Sequence, residues 1–212
     1  MSNNQHSNRI VVTLLKCLTA ILIAKVTCQI LSNYPDYFPP NFEAVFLLGR
    51  KEHFQGFYRL AFYAHILASP LSLLGGMILT SERFRRRFPT MHRTIGVYQI
   101  CLVIFLVVPS GLWMSQYALT GLVAGLGFAS LAIATGVCTL WGWRLAVRRS
   151  FDLHRRWMIR SFLLLCSAVL LRLVAGAATT WNWDVPWLYP FSAWMTWIVP
   201  LIIFEVWERY IN

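Results

Sequence analysis

Histidine, arginine and serine side chains recur within the apolar stretches of this chain at a spacing that places them on shared helix faces. A separation of 18 residues is five turns of an α-helix, about 27 Å, so two such residues lie on one face at opposite sides of a bilayer core. Three pairs have this separation: His65 and Arg83, His92 and Ser110, His154 and Arg172. Imidazole relays protons or binds metals, and guanidinium binds anions. The spacing therefore predicts two polar layers inside a membrane protein.

The layer farther from the arginine-rich connectors contains His65, Ser110 and Arg172. A guanidinium within a membrane span costs between about 2.5 and 17 kcal/mol, so Arg172 needs a compensating group. Asp184, backbone carbonyls, an aromatic face and an anionic ligand are the options. We interpret His65, Arg172 and Ser110 as a binding site for a small anion or a quinone. The structural alternatives are an arginine that extends to the interface and an ordinary hydrogen-bonded core histidine.

The second layer contains His92 and His154, which both precede an arginine, Arg93 or Arg155, at the start of a span. Two imidazoles at one depth are the ligand set of a haem b, and the neighbouring arginines suit its propionates. The alternative is that these residues contact lipid headgroups or the acidic residues near the C-terminus. The five cysteines lie in apolar runs without a CxxC pair, so no other metal site is predicted.

Composition indicates an integral membrane protein, because 58% of the 212 residues are apolar and 13% are charged, against about 25% charged residues in soluble domains. A helix needs about 20 apolar residues to cross the hydrocarbon core. Apolar runs of this length predict a single all-α domain, a bundle of six transmembrane helices, at about residues 10–31, 57–80, 94–114, 119–147, 157–180 and 187–207.

The basic residues indicate orientation. The net charge is +11, but residues 81–93 and 144–156 each contain five arginines, and such clusters mark cytoplasmic connections. Both termini are then cytoplasmic, in the cytoplasmic (inner) membrane of the cell, and a nucleic-acid partner is not predicted. The longest connection, residues 32–56, is rich in proline and aromatic residues, which indicates an interfacial segment over the outer face.

Three short motifs carry a resemblance to a known family: YAH at His65, HRTIGVY from His92 and HRRWMIRS from His154. With the arginine-rich connection before them, they resemble the bacterial and fungal membrane family catalogued as domain of unknown function 2306. The resemblance extends from about Tyr63 to the C-terminus. It implies a multi-pass membrane protein, and it brings no established reaction, cofactor or catalytic residue.

Three functions remain open from the sequence. The first is electron transfer with haem b or a quinone, and the second is transport or sensing of an anion or protons through the Arg172 and His65 layer. The third is a non-catalytic membrane subunit. The chain has no nucleophile elbow, P-loop, HExxH or paired-carboxylate motif, so an enzyme is not favoured. The stripes also predict that the second, third and fifth spans form the polar centre and that the first and last are more peripheral.

Overall fold

A computed structural model gives the chain an all-helical fold. It describes residues 2–44, 46–183 and 185–211, with side chains at 14, 17–44, 46–183 and 185–210. These ranges contain eight α-helices and no β-strand: α1 (Ser2–Ser32), α2 (Gly56–Thr80), α3 (Glu82–Arg87), α4 (Pro89–Leu102), α5 (Val108–Ser115), α6 (Leu122–Val147), α7 (Phe151–Thr180) and α8 (Leu188–Ile211). The predicted all-α class is confirmed.

Five segments are long and apolar enough to cross a membrane: Gly56–Thr80, Pro89–Ser115, Leu122–Val147, Phe151–Thr180 and Leu188–Tyr210. Cys17–Ser32 is a shorter apolar helix within α1. This agrees with the predicted bundle of six helices, and the side on which the termini lie stays a prediction. α4 and α7 begin a few residues before the predicted third and fifth spans. His92 and His154 lie in the first turns of these helices, as predicted.

The third span is not one regular α-helix. Val103–Val107 forms a π-helical turn between α4 and α5. Pro109 follows it, and because proline has no N–H it leaves a helix carbonyl without its usual donor. A π turn inserts one residue, which rotates the rest of the helix by about 100°. The same-face argument for His92 and Ser110 is therefore wrong, although Ser110 is buried.

Helix packing differs in part from the predicted centre. α1 packs mainly against α2 and α7, as expected for a peripheral first span. α6, which carries no predicted stripe, contacts α4, α5, α7 and α8 and is central. Glycine permits these close approaches: a Cβ at Gly142 would lie 2.7 Å from Sδ of Met158 on α7.

Candidate functional site

The long connection between α1 and α2 is docked on the bundle. We call residues 33–44 and 46–55 the lid segment, and the end of the bundle that it covers the lid end. Its aromatic side chains enclose Phe62 of α2, which is fully buried. The ring of Phe62 makes edge contacts with Tyr37 at 5.4 Å and with Phe54 at 5.2 Å between centroids. The predicted interfacial segment is therefore a packed cover with its own apolar core.

Two tyrosine hydroxyls fix the lid segment to α2. Pro70 lies inside α2 and has no N–H, so the carbonyl of Ile66 lacks its helical donor. The hydroxyl of Tyr34 donates to that carbonyl. In return, the hydroxyl of Tyr63 donates to the carbonyl of Tyr37 at 2.9 Å. The proline thus creates the acceptor that positions the lid segment.

His65 and Ser110 are in direct contact beneath this segment. Nδ1 of His65 lies 2.9 Å from Oγ of Ser110. The same Oγ lies 3.1 Å from the carbonyl of Val107 and also close to that of Leu106. The two carbonyl oxygens can only accept, so the hydroxyl of Ser110 donates its single proton to them. Nδ1–H of His65 then donates to Oγ of Ser110. This arrangement leaves Nε2 of His65 as an acceptor.

Arg172 lies partly buried in α7 at the lid end. Its Nη1 donates to the carbonyl of Ala168, one turn earlier, at 3.2 Å. Among the described side chains no carboxylate forms a salt bridge with it. Asp184, the acid considered from the sequence, lies outside the described residues. Arg172 therefore keeps most of its five N–H donors for another partner.

The charge of Arg172 connects the predicted residues with the lid segment. It acts on His65, Tyr34 and Tyr37, so these three side chains lie within electrostatic range of the guanidinium. Burial raises the pKa of Tyr34 and of Tyr37 above the ordinary value, and the Arg172 charge offsets part of the rise. Both phenols are therefore neutral hydrogen-bond donors at physiological pH.

A second buried cation, Arg50, was missed by the sequence analysis. Its side chain is 6% exposed, its guanidinium stacks 4.6 Å above the ring of Phe46, and it donates to the Phe46 carbonyl. Its Nε has no partner in the described part of the chain. Its charge also acts on Tyr37, which therefore lies between the fields of Arg50 and Arg172. In the sequence, the only indication that Arg50 is buried is its position directly after the apolar run FLLG.

The middle of the bundle contains buried polar pairs. Nε2 of Gln99 donates to the carbonyl of Ser72 at 2.7 Å. Thr139 and Ser161 share a hydrogen bond of 2.7 Å between α6 and α7. Gln99 and Ser161 are 6% and 2% exposed, which confirms that these stripe residues point inward. Thr139 was not predicted, because threonine is unremarkable in an apolar run.

The end opposite the lid segment contains His92 and His154. Nδ1 of His154 donates to the carbonyl of Gly142 at 2.8 Å, so Nε2 is the acceptor nitrogen of the neutral ring. Nδ1 of His92 is buried with no partner among the described residues, and the two imidazoles lie within electrostatic range. Arg93 and Arg155 are exposed. No group of three or more metal-ligating residues occurs in the described ranges.

Comparison with known proteins identifies a family for this chain. The family model described as "Predicted membrane protein (DUF2306)" matches residues 62–208, more than half of the chain. No curated protein and no solved structure matches this chain. The matched region includes His65, Arg172 and both HR motifs and excludes the lid segment. This chain therefore belongs to the domain of unknown function 2306 family of membrane proteins.

Proposed function

We propose that this protein binds a small anion at its lid end, as a transporter or sensor, with Arg172 as the principal binding residue. The observation that carries the proposal is a cation in a membrane span with no carboxylate partner among the described side chains. A guanidinium left without a counter-charge in low dielectric is costly, and an anionic ligand would remove that cost.

The neighbouring groups suit such a ligand. Tyr37 is a neutral donor within range of the Arg172 charge, whereas the hydroxyl proton of Tyr34 is already donated to the Ile66 carbonyl. His65 is held by Ser110 and contributes orientation rather than a second charge. A carboxylate or phosphate oxygen would accept hydrogen bonds from the guanidinium and from the Tyr37 phenol. A quinone carbonyl accepts from the same donors, which makes it the alternative ligand of this site.

The proposal also includes the orientation of the protein in the membrane. The connections with five arginines each lie at the end away from the lid segment. With those connections in the cytoplasm, the lid end faces outward across the cytoplasmic membrane, and both termini are cytoplasmic. The anion then enters from outside, beneath or through the lid segment.

Replacing Arg172 by methionine is expected to weaken anion binding at least tenfold, which corresponds to about 1.4 kcal/mol. The test measures the thermal unfolding of purified protein in nanodiscs with acetate, benzoate, phosphate or a short-chain ubiquinone analogue. We expect one of the three anions to raise the midpoint through mass action, and this rise to be absent in Arg172→Met.

Arg59→Met is the matched control, because Arg59 is exposed near the lid end of α2. This variant should keep the full ligand-dependent rise. A rise with the ubiquinone analogue alone would favour the redox function over anion binding. If no probe stabilises the wild type, Arg172 binds none of these ligands and the subunit function is favoured.

Haem b at His92 and His154 is a second candidate, supported by the hydrogen bond from Nδ1 of His154 to Gly142. Axial histidines commonly donate this proton to a carbonyl, which directs Nε2 at the metal. The side chains of Arg93 and Arg155 are exposed, and they do not support the predicted binding of the haem propionates. If haem binds, protein from haem-replete cells should show a Soret band that each of His92→Ala and His154→Ala abolishes. Colourless wild-type protein would exclude it.

A further inference from the structure

An open groove lies between α2 and the third span, away from the lid end. Its volume is about 570 Å³, and its walls include Leu71, Tyr98 and Phe105. These three side chains are 60%, 72% and 72% exposed on the outside of the bundle. Both helices are long and apolar enough to cross a membrane, so the groove opens to lipid. Its volume falls within the usual range for small-molecule sites, about 300–1,000 Å³.

The floor of the groove depends on a glycine. A Cβ at Gly75 would lie 2.5 Å from Oε1 of Gln99. That distance is too short for any other residue, so glycine alone lets the amide lie against α2. The π turn that follows Gln99 supplies Phe105 to the wall. π turns in helices occur frequently at functional sites.

Gln99 presents an unused acceptor in this groove. Its side chain is 6% exposed and lines the groove. Nε2 donates to the Ser72 carbonyl, which can only accept, so the two ends of the amide are assigned. Oε1 therefore lies on the side of Gly75, and no N–H or O–H of the described residues donates to it. A carbonyl oxygen without a donor is costly in the low dielectric of a membrane.

We propose that this groove binds a lipid alcohol, whose apolar body lies along the groove and whose single hydroxyl donates to Oε1 of Gln99. A donor is required because Oε1 only accepts hydrogen bonds. None of the residues that line the groove is charged, so a fatty acid or phospholipid headgroup would find no counter-ion there. Gln99 is ten residues into its span, about 15 Å, so the hydroxyl would lie near the bilayer centre. This site is separate from Arg172 and independent of the proposed anion site.

The experiment uses a diazirine-bearing hexadecanol and its methyl ether, which has the same chain but no donor. Full-length protein in phosphatidylcholine nanodiscs is irradiated with each, and labelling of residues 95–106 is measured by peptide mass spectrometry. We expect the alcohol to label this segment at least fivefold more than the ether. Gln99→Met should reduce labelling by the alcohol to the ether level while leaving the ether unchanged. Gly75→Ala should have the same effect by displacing the amide.

Gln116→Met is the matched control, because Gln116 is an exposed glutamine outside the groove, and it should label like the wild type. Thermal unfolding of each variant without probe identifies any that has lost its fold. If a variant has lost its fold, the difference in labelling of the wild type by the alcohol and by the ether still tests the proposal. Equal labelling by the two probes, or no labelling of residues 95–106, would overturn the proposal and leave the groove as a contact for bulk acyl chains.

Discussion

Replacing Phe62 by alanine is expected to lower the free energy of unfolding by about 3–5 kcal/mol, the usual range for a buried phenylalanine. Phe62 is fully buried, and its ring contacts Tyr37, Phe46 and Phe54 of the lid segment. Each favourable ring pair adds about 0.5–1.5 kcal/mol beyond the buried area. The loss is measured by denaturant titration in mixed micelles, with circular dichroism as the signal.

Leu60→Ala is the control for this prediction, since Leu60 is on the same helix and 66% exposed. Its change should stay within about 0.5 kcal/mol, as for most surface substitutions. Limited trypsin digestion gives a second readout, because Lys51 is within the lid segment. Cleavage there should accelerate in Phe62→Ala. Unchanged stability and unchanged cleavage would show that the aromatic cluster does not hold the lid segment on α2.

The helices were predictable from the sequence because the bilayer imposes one strong requirement. Backbone groups in hydrocarbon must be hydrogen-bonded internally, so long apolar runs become helices. The lid segment had no comparable signal. Its position depends on contacts such as Tyr37 with Phe62 and Tyr34 with the Ile66 carbonyl, which join residues far apart in sequence. Proline and aromatic content indicated an interfacial segment, but not what it covers.

The candidate site was predicted in part. His65, Ser110 and Arg172 were selected as polar residues in apolar runs, and the structure brings His65 into contact with Ser110 and within range of Arg172. Their function as a ligand site stays a prediction. Arg50 was missed because a basic residue in a mixed connection is normally solvated. The π turn was missed because VIFLV reads as ordinary apolar helix, and only its backbone hydrogen bonds distinguish it.

Replacing Glu205 by glutamine is expected to lower the free energy of unfolding by about 2 kcal/mol. Glu205 accepts two hydrogen bonds from Arg160, from Nε at 2.5 Å and from Nη2 at 2.9 Å, and so joins α8 to α7. The Arg160 side chain is 17% exposed and that of Glu205 is 40% exposed. Exposed pairs contribute about 0–1 kcal/mol, whereas breaking a buried pair costs about 3–5 kcal/mol. A partly buried bidentate pair lies between these limits.

The exposed pair of Glu82 and Arg86 is a matched comparison. Its contact is also short, 2.6 Å, but the two side chains are 48% and 76% exposed. The hydrogen bond and charge of Arg86 hold the pKa of Glu82 below its usual value, so this carboxylate is ionised at neutral pH as well. Glu82→Gln should nevertheless cause a much smaller loss of stability than Glu205→Gln, because water solvates both partners. Equal losses in the two variants would mean that distance rather than burial sets the strength of these pairs.

A double variant separates the pair from the cost of an unpaired cation. Arg160 also stacks over the rings of Trp157 and Phe204, at 5.0 and 5.4 Å. Methionine fills that space without a charge, so Arg160→Met combined with Glu205→Gln should recover at least half of the loss seen in Glu205→Gln. No recovery would show that the stacked guanidinium itself, rather than its charge pair, stabilises the contact between α7 and α8. Because this pair is at the end of α7 opposite Arg172, Glu205→Gln should leave anion-dependent stabilisation at the lid end unchanged.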